Sequence, residues 1–220
     1  MRLAPSILSA DFAKLGDQVA EVEAAGARQF HLDVMDGRYV QNLTFGPLVV
    51  EAVRRSTKLP LDVHLQIENA DRWIDVFSDA GADMIALHPE TLHHVHHALQ
   101  EIRRKGKKAG IALHPSNPLA AVVEVLSEVD YVIVMSVHPG FAGQAFIPGS
   151  FGRLEQLRAL VQARKLAVEI AIDGGMAVDN IRQAVKSGAD VVVSGSAIFA
   201  GGDPAARVGQ MLKAAGANGR

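Results

Sequence analysis

The chain is 220 residues long, 49% hydrophobic and 21% charged, with a formal net charge of −2 and no cysteine. One sizeable core fits that length, disorder does not fit that hydrophobicity, and nucleic acid is not an expected partner because no Lys/Arg run is interleaved with aromatics. Disulfides, thiolate nucleophiles and cysteine-based zinc sites are excluded, so any metal is held through nitrogen and oxygen.

Taken in chain order, short apolar runs predict strands over Leu3–Ser6, Gln29–Asp33, Leu61–Leu65, Met84–Leu87, Ala109–Leu113, Tyr131–Met135, Val168–Ile172 and Val191–Ser194. Between them lie segments of helical character, among them Asp11–Ala25, Ala70–Ala80, Leu92–Lys105, Ser150–Ala163, Val178–Ser187 and Pro204–Ala215. Several open on Asp, Ser or Pro and close on Gly. A weak repeat sets the frame. Ala25-Gly26-Ala27, Ala80-Gly81-Ala82 and Ser187-Gly188-Ala189 each stop a helix just before a strand. Their glycines are 55 and 107 positions apart, near two and four multiples of about 27 residues, and the chain holds about eight such units. Eight βα units close into a ring, so the expected fold is α/β, one (β/α)8 TIM-barrel domain over residues 1–220. A doubly wound open sheet is the competing arrangement. The start, Met1-Arg2-Leu3-Ala4-Pro5-Ser6, lacks a long apolar stretch, and no run approaches the roughly 20 apolar residues that span a bilayer. A cytoplasmic protein with no membrane partner is expected.

In a TIM barrel, functional residues lie where strands end at the C-terminal face. In His31-Leu32-Asp33 the alternation of a strand puts His31 and Asp33 on one face. His64 alternates likewise in Leu61-Asp62-Val63-His64-Leu65, and Asp173 ends the seventh predicted strand. Buried charges need partners or a metal, so His31, Asp33, His64 and Asp173 are expected to hold one divalent transition ion: zinc, iron(II), manganese or cobalt. Three glycine-bearing loops follow the last three strands: Pro139-Gly140-Phe141-Ala142-Gly143-Gln144, Asp173-Gly174-Gly175 and Gly195-Ser196-Ala197. Glycines let backbone N–H groups approach an anion, and loops at adjacent strand ends are where barrels bind phosphate.

These residues sit within longer motifs. They include Pro5-Ser6-Ile7-Leu8-Ser9-Ala10-Asp11, His31-Leu32-Asp33-Val34-Met35-Asp36-Gly37, Asn42-Leu43-Thr44-Phe45-Gly46-Pro47 and Met135-Ser136-Val137-His138-Pro139-Gly140-Phe141. Together they resemble the ribulose-phosphate 3-epimerase family from about Ser6 through Phe199. The resemblance implies a barrel of the ribulose-phosphate-binding type with metal ligands His31, Asp33, His64 and Asp173. It implies substrate contacts from Ser6, His64, Gly140, Phe141, Ala142, Gly143, Asp173, Gly174, Gly175, Gly195 and Ser196. It further implies interconversion of D-ribulose 5-phosphate and D-xylulose 5-phosphate through an enediolate, in the pentose phosphate pathway or Calvin cycle. Asp33 and Asp173 would exchange protons with opposite faces of C3, and Met35 and Met135 would wall the reacting centre. The expected partner is a small-molecule ketose phosphate, and assembly as a homo-oligomer is expected.

Several positions depart from the family pattern. Gln66 stands where a methionine is common, Ala142 replaces a glycine, and His114 and His138 occupy places where asparagine is frequent. With Leu87-His88-Pro89-Glu90-Thr91, these departures also resemble allulose-6-phosphate 3-epimerases, the alternative reading. Lyases of the same scaffold that work through a strand-end lysine do not fit, because none of the eight lysines lies there. The tract His93-His94-Val95-His96-His97 is read as a solvated helical face rather than a metal site.

Overall fold

All eight predicted strands form in the computed structural model, which describes residues 1–216. They are β1 (Arg2–Pro5), β2 (Phe30–Met35), β3 (Leu61–Gln66), β4 (Met84–Leu87), β5 (Lys108–Leu113), β6 (Tyr131–Met135), β7 (Glu169–Asp173) and β8 (Val191–Ser194). The last part of the expected domain, 217–220, lies outside the described residues. Every pairing is parallel, in the order β1-β8-β7-β6-β5-β4-β3-β2. The two ends of that order meet through a parallel bridge between Ser6 and His31, so the sheet is a barrel and the open-sheet alternative is excluded.

Parallel strands covered on both faces read as nearly continuous apolar runs, and these do. The outward set, including Leu32, Val63, Ile85, Ile111, Val132, Ile170 and Val192, is fully buried in the main core beneath the helices. Val19 and Val22 come from α1 (Leu15–Ala24), Val50 and Val53 from α2 (Pro47–Ser56) and Phe77 from α3 (Ile74–Asp79). Leu99 and Ile102 come from α4 (Val95–Arg104). The short α5 (Ala120–Val123) is followed by α6 (Ser150–Ala163), which adds Leu154 and Leu157. The ring is completed by α7 (Ile181–Lys186), α8 (Ser196–Phe199) and α9 (Pro204–Ala214). Each fully buried Leu, Ile or Val contributes about 1.5–3 kcal/mol, so this outer layer is the main source of stability.

The inward positions form a second cluster: Ala4, Met84, Ala86, Ala112, Tyr131, Ile133, Met135, Ala171, Val191 and Val193. Tyr131 fits only because residue 110 is glycine. A Cβ there would stand 2.3 Å from the Tyr131 ring.

Helix boundaries differ from the sequence reading in informative ways. The segment expected over Asp11–Ala25 begins as a 3-10 turn, Phe12–Lys14, whose Asp11 carboxylate accepts from the Ala13 N–H, before α1 starts. That over Ala70–Ala80 likewise divides into a 3-10 turn, Ala70–Trp73, and α3. A tight 3-10 turn lets the chain leave the barrel rim before an α-helix can lie against the sheet. Helix α2, which the sequence reading did not mark, has Pro at its first position after Gly46.

Candidate metal centre and active site

The pairing of β2 with β3 builds one wall of the site. Register sets His31 beside Asp62, Asp33 beside His64 and Met35 beside Gln66, and because side chains alternate, all six belong to the inward face. Asp173 ends β7, in register with Met135 of β6. Closure of the ring then brings Asp173 to the wall formed by β2 and β3.

The resulting cluster is tight. Asp33 Oδ1 lies 3.2 Å from His31 Nε2 and 3.1 Å from His64 Nδ1, and the two imidazole nitrogens are 3.3 Å apart. Asp173 Oδ2 is 3.7 Å from His31 Nε2 and 3.9 Å from His64 Nδ1. One ligand atom from each of the four residues thus lies within 4.8 Å of all the others. Asp33 also accepts from Ser6 Oγ at 2.6 Å and from Gln66 Nε2 at 2.7 Å.

Charge in this cluster is out of balance. Two carboxylates face each other, while neither the cluster nor the cavity above it is lined by Lys or Arg among the described residues. Burial opposes a charged His31, yet Asp33 and Asp62 overcome it and raise its pKa well above the ordinary imidazole value. Burial likewise opposes an ionised Asp33, but the charge and hydrogen bonds of His31, with help from His64, hold its pKa well below the carboxylate range. For Asp173, burial and then the Asp33 charge push the pKa up to about 6. Burial lowers the pKa of His64, keeping it neutral. The cluster draws a proton onto His31 because it needs positive charge. A divalent ion satisfies that need through a nitrogen and oxygen donor set of ordinary type.

The outer nitrogens of both histidines are already engaged. His31 Nδ1 meets Asp62 Oδ2 at 3.0 Å, and the other Asp62 oxygen accepts from the Tyr131 hydroxyl at 2.5 Å. His64 Nε2 meets His88 Nε2 at 2.9 Å. The sequence reading assigned no role to Asp62, Tyr131 or His88. Asp62 carried a usable signal, since it alternates with His64 on one strand.

Above the cluster is a cavity lined by Ser6, Asp33, Asp173 and the loop residues expected to touch substrate, Gly140, Phe141, Ala142, Gly143, Gly174, Gly175, Gly195 and Ser196, whereas Ala197 of the third loop does not line it. His64 lies beneath it, fully buried. Gly140, Gly143, Gly174 and Gly175 have positive φ, which places their loop backbones where most side chains would be strained. At Gly175 a Cβ would also meet the Phe146 backbone at 2.8 Å. Met35, Met135 and Gln66 line the same cavity, and the buried Gln66 Oε1 has no partner within the protein. His138 lines it too, whereas His114 stands beside His138 with ring centres 5.1 Å apart, in the neighbouring cavity. The histidine tract lies elsewhere, with His93, His94, His96 and His97 exposed around the start of α4.

Residues 2–199 match the model of the ribulose-phosphate 3 epimerase family. The chain is 49% identical over 207 residues to ribulose-phosphate 3-epimerase 2 of Cupriavidus necator, covering 92% of this chain and 86% of the relative. It is 43% identical to ribulose-phosphate 3-epimerase of Bacillus subtilis, covering 92% of this chain and 94% of the relative. Among solved structures, a 3-hexulose-6-phosphate synthase superimposes with a TM-score of 0.76 at 19% identity, over 97% of this chain and 99% of that one. At that identity the likeness concerns the fold alone. No helix among the described residues is long and apolar enough to cross a membrane.

Proposed function

The chain belongs to the ribulose-phosphate 3-epimerase family, and on that basis we propose that it interconverts D-ribulose 5-phosphate and D-xylulose 5-phosphate at C3. The reading is carried by one observation: two histidines and two aspartates converge within 4.8 Å, below a cavity whose rim is formed by three glycine loops. The loops suit a phosphate, because backbone N–H groups freed by glycine can approach its oxygens. The cluster suits the other end of a ketose phosphate.

His31, Asp33, His64 and Asp173 would hold a divalent transition ion. When bound, that ion would polarise the C2 carbonyl and stabilise the negative charge that builds as the C3–H bond breaks. The proton transfers fall to the aspartates. Asp33, at the end of β2, suits the base on one face of C3, and Asp173, at the end of β7 across the cluster, suits the acid on the opposite face. Ser6 holds one Asp33 oxygen and Gln66 the other. The free Gln66 Oε1 is available to accept a substrate hydroxyl, and Met35 and Met135 offer soft, polarizable walls. We further assign the enzyme to the pentose phosphate pathway or Calvin cycle, as a cytoplasmic homo-oligomer.

The test is an assay of metal-reconstituted protein against D-ribulose 5-phosphate and D-allulose 6-phosphate. The pentulose phosphate should have the higher kcat/KM, because the long motifs around Asp33 and Phe45 match the pentulose enzymes. The reverse preference would make it a hexulose-phosphate epimerase. Chelation should abolish turnover and a divalent transition ion restore it. Full activity in stripped protein would remove the metal from the reading.

A further inference from the structure

The metal-facing nitrogen of His64 is Nδ1, so a metal bound there requires the imidazole proton on Nε2. That Nε2 lies 2.9 Å from His88 Nε2, a buried side chain that contributes nothing directly to the cavity. The next contacts run in one direction only. If His64 Nε2–H donates to His88 Nε2, His88 must carry its own proton on Nδ1, which lies 3.0 Å from the Tyr39 hydroxyl oxygen. The Tyr39 O–H then donates to Glu90 Oε1 at 2.7 Å. A carboxylate can only accept, so it fixes the direction of all three bonds.

We propose that His88, Tyr39 and Glu90 are positioning residues for the metal centre, forming a chain of oriented hydrogen bonds from the barrel rim that holds His64 in the tautomer whose Nδ1 lone pair faces the metal. The ring planes support it: the His64 and His88 rings meet end to end, with centres 5.0 Å apart and planes inclined by 28°, and the Tyr39 ring centre is 4.8 Å from that of His88. Protonation states agree with the direction. His88 Nδ1 also lies 3.4 Å from Glu90 Oε1, so the same carboxylate faces both donors, and although burial works against an ionised Glu90, its contacts with His88 and Tyr39 lower its pKa to about 2. Burial and then Glu90 raise the pKa of Tyr39, which keeps its proton to donate. His31 is held differently, by Asp62 alone within the barrel. The two histidines therefore have separate supports, one sealed in the interior and one reaching the loop that follows β2. That loop also touches the phosphate side, where Asn42 Nδ2 donates to the Gly140 carbonyl at 2.6 Å.

This inference rests on the metal reading above, and the experiment separates the two. Cobalt(II) is titrated into the stripped full-length chain and into Tyr39→Phe, His88→Leu and His88→Gln, following affinity and the visible cobalt spectrum. Melting of the stripped proteins serves as the folding control. Tyr39→Phe, at the half-buried rim, should keep the stripped melting temperature while losing about tenfold in cobalt affinity. His88→Leu should lose more and alter the spectrum, and His88→Gln, whose amide oxygen can accept from His64, should recover most of the loss. If His88→Leu does not fold, Tyr39→Phe decides the matter. A parent chain that binds no cobalt would overturn both the metal reading and the positioning chain. A parent that binds it, beside a Tyr39→Phe variant with parental affinity and spectrum, would overturn the positioning chain alone.

Discussion

The inward positions of β2 and β3 carry His31, Asp33, Asp62, His64 and Gln66, whereas those of β5 to β8 carry Ala112, Tyr131, Ile133, Met135, Ala171, Val191 and Val193 before Asp173 closes the set. One wall works through side-chain chemistry. Apart from Asp173 and the Tyr131 hydroxyl, the other is inert in its side chains and contributes through the loops above it, where glycines expose backbone. The polar wall is costly to bury, and nearly every group on it is satisfied by a neighbour on the same wall, by His88 after β4 or by Tyr131 reaching across. The apolar wall needs no such network, but its loops need main-chain conformations that few residues adopt. Substitutions should therefore act through chemistry on one side and through shape on the other.

The largest effects should come from Asp33 and Asp173. Replacing either by Asn should cut epimerisation by about a thousandfold, since a positioned acid or base contributes about 10²–10⁴ in rate. The two should differ in hydrogen exchange. In deuterated water, metal-loaded Asp33→Asn should neither invert the sugar nor exchange the C3 hydrogen of D-ribulose 5-phosphate. Metal-loaded Asp173→Asn should fail to invert it yet still exchange, because Asp33 can remove and return the proton on one face. The opposite exchange pattern would swap the two roles, and parental epimerisation in either variant would end the two-aspartate mechanism.

On the shape-determined wall, Gly175→Ala should cost about 1–3 kcal/mol through its strained backbone. Its φ is +63°, and the added carbon would meet the Phe146 backbone at 2.8 Å. It should also raise KM for the sugar phosphate. Gly143→Ala has a similar φ of +75° but open space around it, so it should be milder. Equal melting temperatures and KM values for these two variants would show that the close approach at Gly175 has no consequence. Across from the polar wall, Tyr131→Phe removes the buried donor to Asp62 and should cost about 1–3 kcal/mol in urea unfolding. A loss indistinguishable from zero would mean that Asp62 finds another partner.

A smaller effect, in pH, tests the charge balance of the cluster that both walls share. Asp173 has its pKa raised from the ordinary 3.8 to about 6, so its contribution to stability is full below the unfolded value and is lost as pH rises through about 6. His31, raised above 6.5, contributes fully below that value and loses its contribution as pH passes its higher folded pKa. Asp33, lowered, acts in the opposite sense, but only at more acidic pH. His64 and His88, lowered by burial, oppose the Asp173 loss below 6.5, so metal-stripped protein should lose stability as pH rises above 6.5, where only the raised His31 of the cluster still titrates, while a bound ion, which displaces these protons, should stabilise more over the same range. The gap in melting temperature between loaded and stripped protein should widen with pH. A constant or narrowing gap would contradict this charge balance.

The ring of strands and the four convergent residues were legible because both depend on local alternation. The predicted strands overlap the observed ones throughout, and inward-facing polar residues stand out in apolar runs. The helix starts after β1 and β3 were less legible, because a 3-10 entry such as Phe12–Lys14 answers to the rim geometry rather than to helical periodicity. Least legible was the support behind the histidines. Asp62 meets His31 through the register of two strands, and His88 meets Tyr39 across 49 residues of sequence, contacts that exist only once strands have paired.

The histidine tract tests that distinction between local pattern and closed ring with the smallest expected effect. Four histidines within five residues are the densest ligand-like pattern in the sequence, denser than the pairing of His31 with Asp33. Yet all four are exposed around the start of α4, and no metal-competent group of three ligands includes them among the described residues. Ring closure, not local density, brings four ligands to one point. Replacing His93, His94, His96 and His97 together by Gln should therefore leave kcat/KM unchanged within about twofold, since exposed substitutions away from a site usually cost less than about 0.5 kcal/mol. Cobalt should still bind at one equivalent to both proteins. If the fourfold variant loses an equivalent of tightly bound cobalt together with activity, the tract belongs to the working site and the division of labour between the two walls is incomplete.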